Sequence, residues 1–170
     1  MGQTMITGAF FLLLITSVIS ANRMIGESNA TTYEGDAVNL AVDVARSVLA
    51  ETYRKKFDAN YIDSVYQAAS AFTSPNALGP ATSEVFTPSP DVAPFQSFAR
   101  YDDVDDYNGY QRTVDAAGVK GFKVSVSVYY VNPDTFAKST TQTYLKRVEV
   151  SIEHATYMKT KMTFSSLVSL

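Results

Sequence analysis

The chain opens on a stretch with no charged side chain: the first charge is Arg23, and Met1 to Asn22 carry none. Its centre, Ala9-Phe10-Phe11-Leu12-Leu13-Leu14-Ile15, is strongly apolar, and Thr16 to Ala21 continue it with small and branched residues that include Val18 and Ile19. A helix crossing a ~30 Å hydrocarbon core takes about 20 residues, and Gln3 to Asn22 supply that length. Periodicity of the helical kind begins at Asp36, a good N-cap. Ala37, Ala41, Val44, Ala45, Val48 and Leu49 fall on one face, and Asn39, Asp43, Arg46, Glu51 and Arg54 fall largely elsewhere. The pattern predicts an amphipathic helix over 36–56, with the cluster Arg54-Lys55-Lys56 as a solvated end that complements the helix dipole.

Between these two segments the helical signal weakens. Gly26, Ser28, Asn29, Thr31, Thr32 and Gly35 are poor helix formers, which predicts a frayed or extended joint over 23–35. Tyr61 to Phe72 suggest a short second helix. Five of the six prolines, Pro75, Pro80, Pro88, Pro90 and Pro94, predict an irregular surface loop over 73–100. The last third alternates. Phe122, Val124, Val126, Val128 and Tyr130 share one face. Val148, Val150 and Ile152 share another, opposite Arg147, Glu149, Ser151 and Glu153, and a third run covers Met162 to Leu170. Loops near Asn132-Pro133-Asp134 and over 154–160 separate the runs. The expected fold is α+β: an N-terminal helix over 1–56 covering the buried face of a small antiparallel meander in a head spanning 57–170, with strands over 119–170.

Composition narrows the function classes. Apolar residues make up 46% of the chain, enough for a modest core, and the net charge is −3 with Lys and Arg scattered. That distribution shows neither the clustered basic face of a nucleic-acid binder nor a polybasic membrane-surface helix. There is no cysteine, which excludes disulfides, Cys-based zinc sites and thiol catalysis. Eleven tyrosines and no tryptophan suit an exposed, polar, β-rich surface. Asn29-Ala30-Thr31 forms a glycosylation triplet.

Three fates compete for the apolar segment: a signal peptide cleaved near Ala21, a permanent membrane anchor, or a helix that leaves the bilayer to pack against copies of itself. A signal peptide normally carries a basic start, and nothing basic precedes Arg23. Small residues punctuate the segment at Gly2, Thr4, Thr7, Gly8, Ala9, Thr16, Ser17, Ser20 and Ala21, and small side chains let helix backbones approach closely.

Chemistry-bearing motifs are few. In Tyr101-Asp102-Asp103-Val104-Asp105-Asp106-Tyr107-Asn108-Gly109-Tyr110 four carboxylates lie within five residues. Asp102, Asp103, Asp105, Asp106 and Asn108 are candidate calcium ligands, because calcium takes six to eight oxygens. The spacing is not that of an EF-hand, and the alternative is an acidic turn whose side chains cap local backbone groups. The lone histidine, His154, falls at a predicted strand end, where a surface or packing role is the more common one. No Gly-x-Ser-x-Gly elbow and no phosphate-binding loop is present. The expectation is a protein that is not an enzyme and has no resident cofactor beyond a possible calcium ion.

The order of an uncharged apolar helix, an amphipathic continuation, an acidic loop and a closing meander resembles type IV pilin-like proteins, the minor pilins and pseudopilins. The likeness in wording lies in Tyr101-Asp-Asp-Val-Asp-Asp-Tyr-Asn-Gly109, Gly121-Phe-Lys-Val-Ser-Val-Ser-Val128, Leu145-Lys-Arg-Val-Glu-Val-Ser-Ile152 and Met162-Thr-Phe-Ser-Ser-Leu-Val168. The family usually carries a Glu at the fifth mature position, where this chain has Met5, and the Phe-Thr-Leu-Ile-Glu processing signature is missing. Cleavage after Gly2 would leave Gln3 first. The resemblance implies a pilin fold and a filament core built from Gly8, Phe10, Phe11, Leu12, Leu13, Leu14, Ile15, Val18 and Ile19. It implies as partners further copies of this chain, related pilin subunits, the inner membrane before assembly, an assembly platform and a processing peptidase, with an extracellular location once assembled.

Overall fold

The computed structural model describes residues 2–63, 65–85 and 89–170. Met1 and Pro88, both named in the expectations above, lie outside that set, as do the side chains of 2–7 and 9. The chain divides into two compact units, Met1–Val38 and Asn39–Leu170.

The first unit is helix throughout its described length. Helix α1 (Gly2–Thr52) runs through it and into the second unit without a break. The joint expected over 23–35 is therefore not there. Gly26 and Gly35 each cost roughly 1 kcal/mol relative to Ala, and the helix carries that cost with only small local compensation. Thr31 and Thr32 turn their hydroxyls back onto the carbonyls of Glu27 and Ser28, at 2.9 and 3.0 Å. Arg23 Nε meets Glu27 Oε1 at 2.9 Å one turn on. A helix already nucleated on both sides propagates through weak formers at small cost.

The second unit is a four-stranded antiparallel sheet in the order β1-β2-β3-β4, covered on one face by the last turns of α1. The strands are β1 (Gln111–Ala116), β2 (Val119–Tyr130), β3 (Leu145–Glu153) and β4 (Met162–Ser169). The three alternating runs are the three long strands. Register runs from Lys123↔Glu153 to Tyr130↔Lys146 between β2 and β3, and from Leu145↔Ser169 to Ile152↔Met162 between β3 and β4. Phe122, Val124, Val126, Val128 and Tyr130 of β2 and Val148, Val150 and Ile152 of β3 are buried, as are Ala41, Val44, Ala45 and Val48 of α1. Each large apolar side chain so buried contributes roughly 1.5–3 kcal/mol, and the alanines at 41 and 45 let the helix backbone approach.

Strand β1 escaped the alternation pattern. It is short, and it joins β2 through Ala117 and Gly118, both at positive φ (45° and 85°), which makes a two-residue turn of the primed kind. That turn usually announces itself with Asn-Gly, and here Ala-Gly fills it. Among the described residues of 61–72 the regular structure is a single 3-10 turn, Ala69–Ala71. The proline-rich loop contains one short helix, α2 (Ser97–Arg100), and cis peptides precede Pro90 and Pro94. Asp91 of this loop pairs with Arg112, adding one rung to the β1 edge.

Helix α1 ends at Thr52, four residues before the expected Lys56. The basic cluster is not simply a solvated end. Lys55 Nζ donates to the carbonyls of Phe98 and Tyr101 at 2.8 and 2.7 Å. The Lys56 N–H donates to the Asp102 carbonyl, and its own carbonyl accepts from the Val104 N–H. The acidic loop thus holds the chain as it leaves the helix.

Candidate functional site

Two arrangements stand out, one in each unit. In the first, Phe10, Phe11, Leu12, Leu13, Leu14, Ile15, Val18 and Ile19 are all exposed, from 47% at Ile15 to 68% at Leu13. Six consecutive residues at 100° each go right round a helix, so no face of this segment is polar. Gly8 is exposed too, and a Cβ there would meet nothing within 4 Å. Thr16 hides its hydroxyl by donating to the carbonyls of Leu12 and Leu13, both at 3.0 Å, as a polar group must in lipid. Among the described residues this is one helix long and apolar enough to cross a membrane.

The second arrangement is the acidic loop and what lies beneath it. Of the five expected calcium ligands, Asp103, Asp105 and Asp106 are buried. Asp103 Oδ1 accepts the N–H groups of Asp105 and Asp106, and Asp106 Oδ2 accepts those of Asp102 and Asp103. Asn108 bridges chain segments, donating to the Leu78 carbonyl and accepting the Val128 N–H. These side chains tie the turn to itself and to the sheet, which is the capping alternative to metal binding. The carboxylates that do converge, within 4.8 Å of one another, are Asp102, Asp106 and Glu84, the last brought in from the proline-rich loop. Burial pushes Asp103 up, reinforced by the Asp105 and Asp106 carboxyls and opposed by Lys146, to about 8. Burial likewise raises Asp106, against two backbone N–H donors, to about 6.

Under the loop, Tyr101, Tyr107 and Tyr110 pack edge to face with centroids 4.9–5.7 Å apart. These three and Tyr130 are buried, while Tyr33, Tyr53, Tyr66, Tyr144 and Tyr157 are exposed, so the exposed surface expected from the tyrosines holds for only part of them. Three of the four buried tyrosines donate through their hydroxyls to carboxylates that are buried or nearly so. Tyr107 donates to Glu51 Oε1 at 2.7 Å, Tyr110 to Asp91 Oδ2 at 2.9 Å, and Tyr130 to Asp58 Oδ2 at 3.0 Å. Two buried cations complete the seam. Arg112 meets Glu51 Oε2 at 3.0 Å. Lys146, with no exposed surface, meets Asp105 Oδ1 at 2.7 Å, Asp58 Oδ2 at 3.0 Å and the Phe57 carbonyl at 2.7 Å. Burial pushes Asp58 up, but the hydrogen bond and charge of Lys146 and the N–H groups of Asn60 and Thr73 outweigh it and hold the carboxyl below its ordinary range.

Lys146 and Arg112 were missed in the sequence, although a signal exists. By alternation each falls on the apolar side of its strand, Lys146 with Val148 and Arg112 with Val114. A lone charge at such a position requires buried partners. His154 proves to be a packing residue: its Nε2 lies 2.9 Å from the Lys120 carbonyl, and Nδ1 accepts the N–H groups of Thr156 and Tyr157, both at 3.1 Å. Phe122 and Tyr157 flank the ring at 5.0 Å.

No protein-family model, curated protein or solved structure matches this chain. The α+β arrangement of a long N-terminal helix on a four-stranded antiparallel sheet is compatible with a pilin-like fold.

Proposed function

We propose that this chain is a non-enzymatic structural subunit of an extracellular, type IV pilus-like filament. It would be held in the inner membrane before assembly and packed afterwards through its N-terminal helix. The observation that carries the proposal is the all-round apolar exposure of Phe10 to Ile19 on a continuous helix. Such a surface needs either lipid or other helices. Out of lipid, Phe10, Phe11, Leu12, Leu13, Leu14 and Ile15 alone favour burial by on the order of 10 kcal/mol. Identical helices meet that need, and a head-to-tail contact that does not close on itself propagates into a fibre. The pilin-like wording of the acidic loop and strands adds to the proposal without carrying it.

The test is electron microscopy of material sheared from cells expressing the full chain, with mass spectrometry of the fibres. Fibres containing this chain with Phe10–Ile19 intact support the proposal. It is overturned by a mature N-terminus at Asn22, which indicates a secreted protein, or by a monodisperse monomer in detergent with no fibres, which indicates a single-pass anchor.

A further inference from the structure

We propose that Lys146 and Asp105 become joined by an intramolecular isopeptide bond, with Asp103 carrying the proton that lets water leave. The proposal starts from an unusual placement. Lys146 is an inward-facing strand residue with no exposed surface, and its Nζ is 2.7 Å from Asp105 Oδ1. The pocket is walled by aromatic rings, with Nζ 4.5 Å from the Phe57 centroid and 5.1 Å from that of Tyr130. The partner is itself buried, at 3% exposure, and so is Asp103 beside it, at 2%. Taking an ammonium and carboxylates out of water carries a desolvation cost that their mutual pairing has to offset. A nucleophile and an acyl carbon held at contact also gain the large effective concentration of an intramolecular reaction.

Of the two carboxyls that Lys146 touches, Asp105 is the better acyl donor. Asp58 accepts from the N–H groups of Asn60 and Thr73 and the hydroxyls of Thr73 and Tyr130, so its carboxylate is stabilised as the unreactive anion. Asp105 instead has the buried Asp103 carboxyl beside it, whose Oδ1 accepts the Asp105 N–H at 2.8 Å. The Lys146 ammonium first passes one proton to the Asp105 carboxylate. The free amine then attacks Cγ. Asp103 gives its proton to the departing oxygen and takes one back from Nζ, ending as it began. The Nζ–Cγ bond forms, one Cγ–O bond breaks, and the oxygen leaves as water with the two protons that Nζ has lost. The product replaces the Lys146–Asp105 ion pair by a neutral amide whose remaining N–H faces the Asp58 carboxylate, and it ties the acidic loop to the centre of the sheet.

The experiment is mass spectrometry of the full chain purified in detergent and denatured, followed by trypsin. The expected result is a chain one water lighter than its sequence. Residues 101–112 and 139–147 should then emerge as one branched peptide, because acylated Lys146 is no longer cut. A chain at full mass, or a link elsewhere, overturns the bond. Asp105→Ala keeps the Lys146–Asp58 pair and should show full mass, so loss of water in that variant overturns the assignment to Asp105. Asp103→Asn should stay folded by circular dichroism yet remain unlinked. A folded Asp103→Asn that still loses water overturns the role of Asp103.

Discussion

Glu51 offers a direct measure of what the buried polar seam is worth. It stands one residue before the end of α1, and its carboxylate serves three partners: Ser97 Oγ at 2.6 Å, Tyr107 Oη at 2.7 Å and Arg112 at 3.0 Å. Glu51→Ala removes the acceptor and leaves Arg112, whose side chain is 4% exposed, as an uncompensated cation. Arg112 Nε already lacks a hydrogen-bond partner among the described residues, and its guanidinium lies over the Phe95 ring at 4.5 Å, which offers no second carboxylate. Breaking one side of a buried pair costs about 3–5 kcal/mol. The Glu51 side chain is 11% exposed, so water can reach the gap, and the low end of that range, about 3 kcal/mol, is expected. For a chain of this size that lowers Tm by about 6–12 °C. The assay is denaturant unfolding of the full chain in detergent, where the midpoint should fall with the slope unchanged. Glu51→Gln, which keeps an oxygen for Tyr107 and Ser97, should lose less. Glu51→Gln with Arg112→Met should lose less than the sum of the two single changes. A Glu51→Ala variant within about 0.5 kcal/mol of wild type, or strict additivity in the double variant, would refute the idea that these groups form one coupled unit.

Three further outcomes follow from the same geometry. Asp103 is raised from its ordinary 3.8 to about 8, so the folded state binds its proton more tightly than the unfolded chain does. Its contribution is complete below about pH 4 and is lost as pH rises through 8, and Asp103→Asn should flatten the fall in unfolding midpoint across that window. The slope is the readout, since a covalent link would not change with pH; an unchanged slope would show that Asp103 is not the titrating group. His154→Ala removes the acceptor for two backbone N–H groups and should cost about 1–2 kcal/mol, with early hydrogen exchange confined to 154–158; global loosening would contradict the local role. Calcium, if it raises the midpoint, should act through Glu84, Asp102 and Asp106, so the rise should vanish in Glu84→Gln and survive Asp103→Asn.

How much of this could be seen in the sequence depends on how far apart the partners lie. The strands β2, β3 and β4 were legible because alternation is written between neighbours two residues apart, and one buried face repeats the signal many times over. The amphipathic turns of α1 were legible for the same reason at a period of 3.6. The joint expected at 23–35 is helix because a helix is cooperative over lengths that a count of weak formers ignores, so weak residues flanked by strong helix on both sides are carried along. The acidic loop was legible in its chemistry and only partly in its purpose. Asp103 and Asp106 cap backbone groups within four residues, which local sequence can suggest. Asp105 answers to Lys146, 41 residues on, and Lys146 also to Asp58, 88 residues back. Nothing in either neighbourhood announces those pairings. What could be read is the anomaly that demands them: a charge at an inward position of an otherwise apolar strand. Applied to β3, the parity rule that found the core also marks Lys146 as a cation in need of buried acids, and Arg112 follows once β1 is known to be a strand. The places where charge breaks the alternation are therefore where the head invests its polar contacts, and where its chemistry is to be sought.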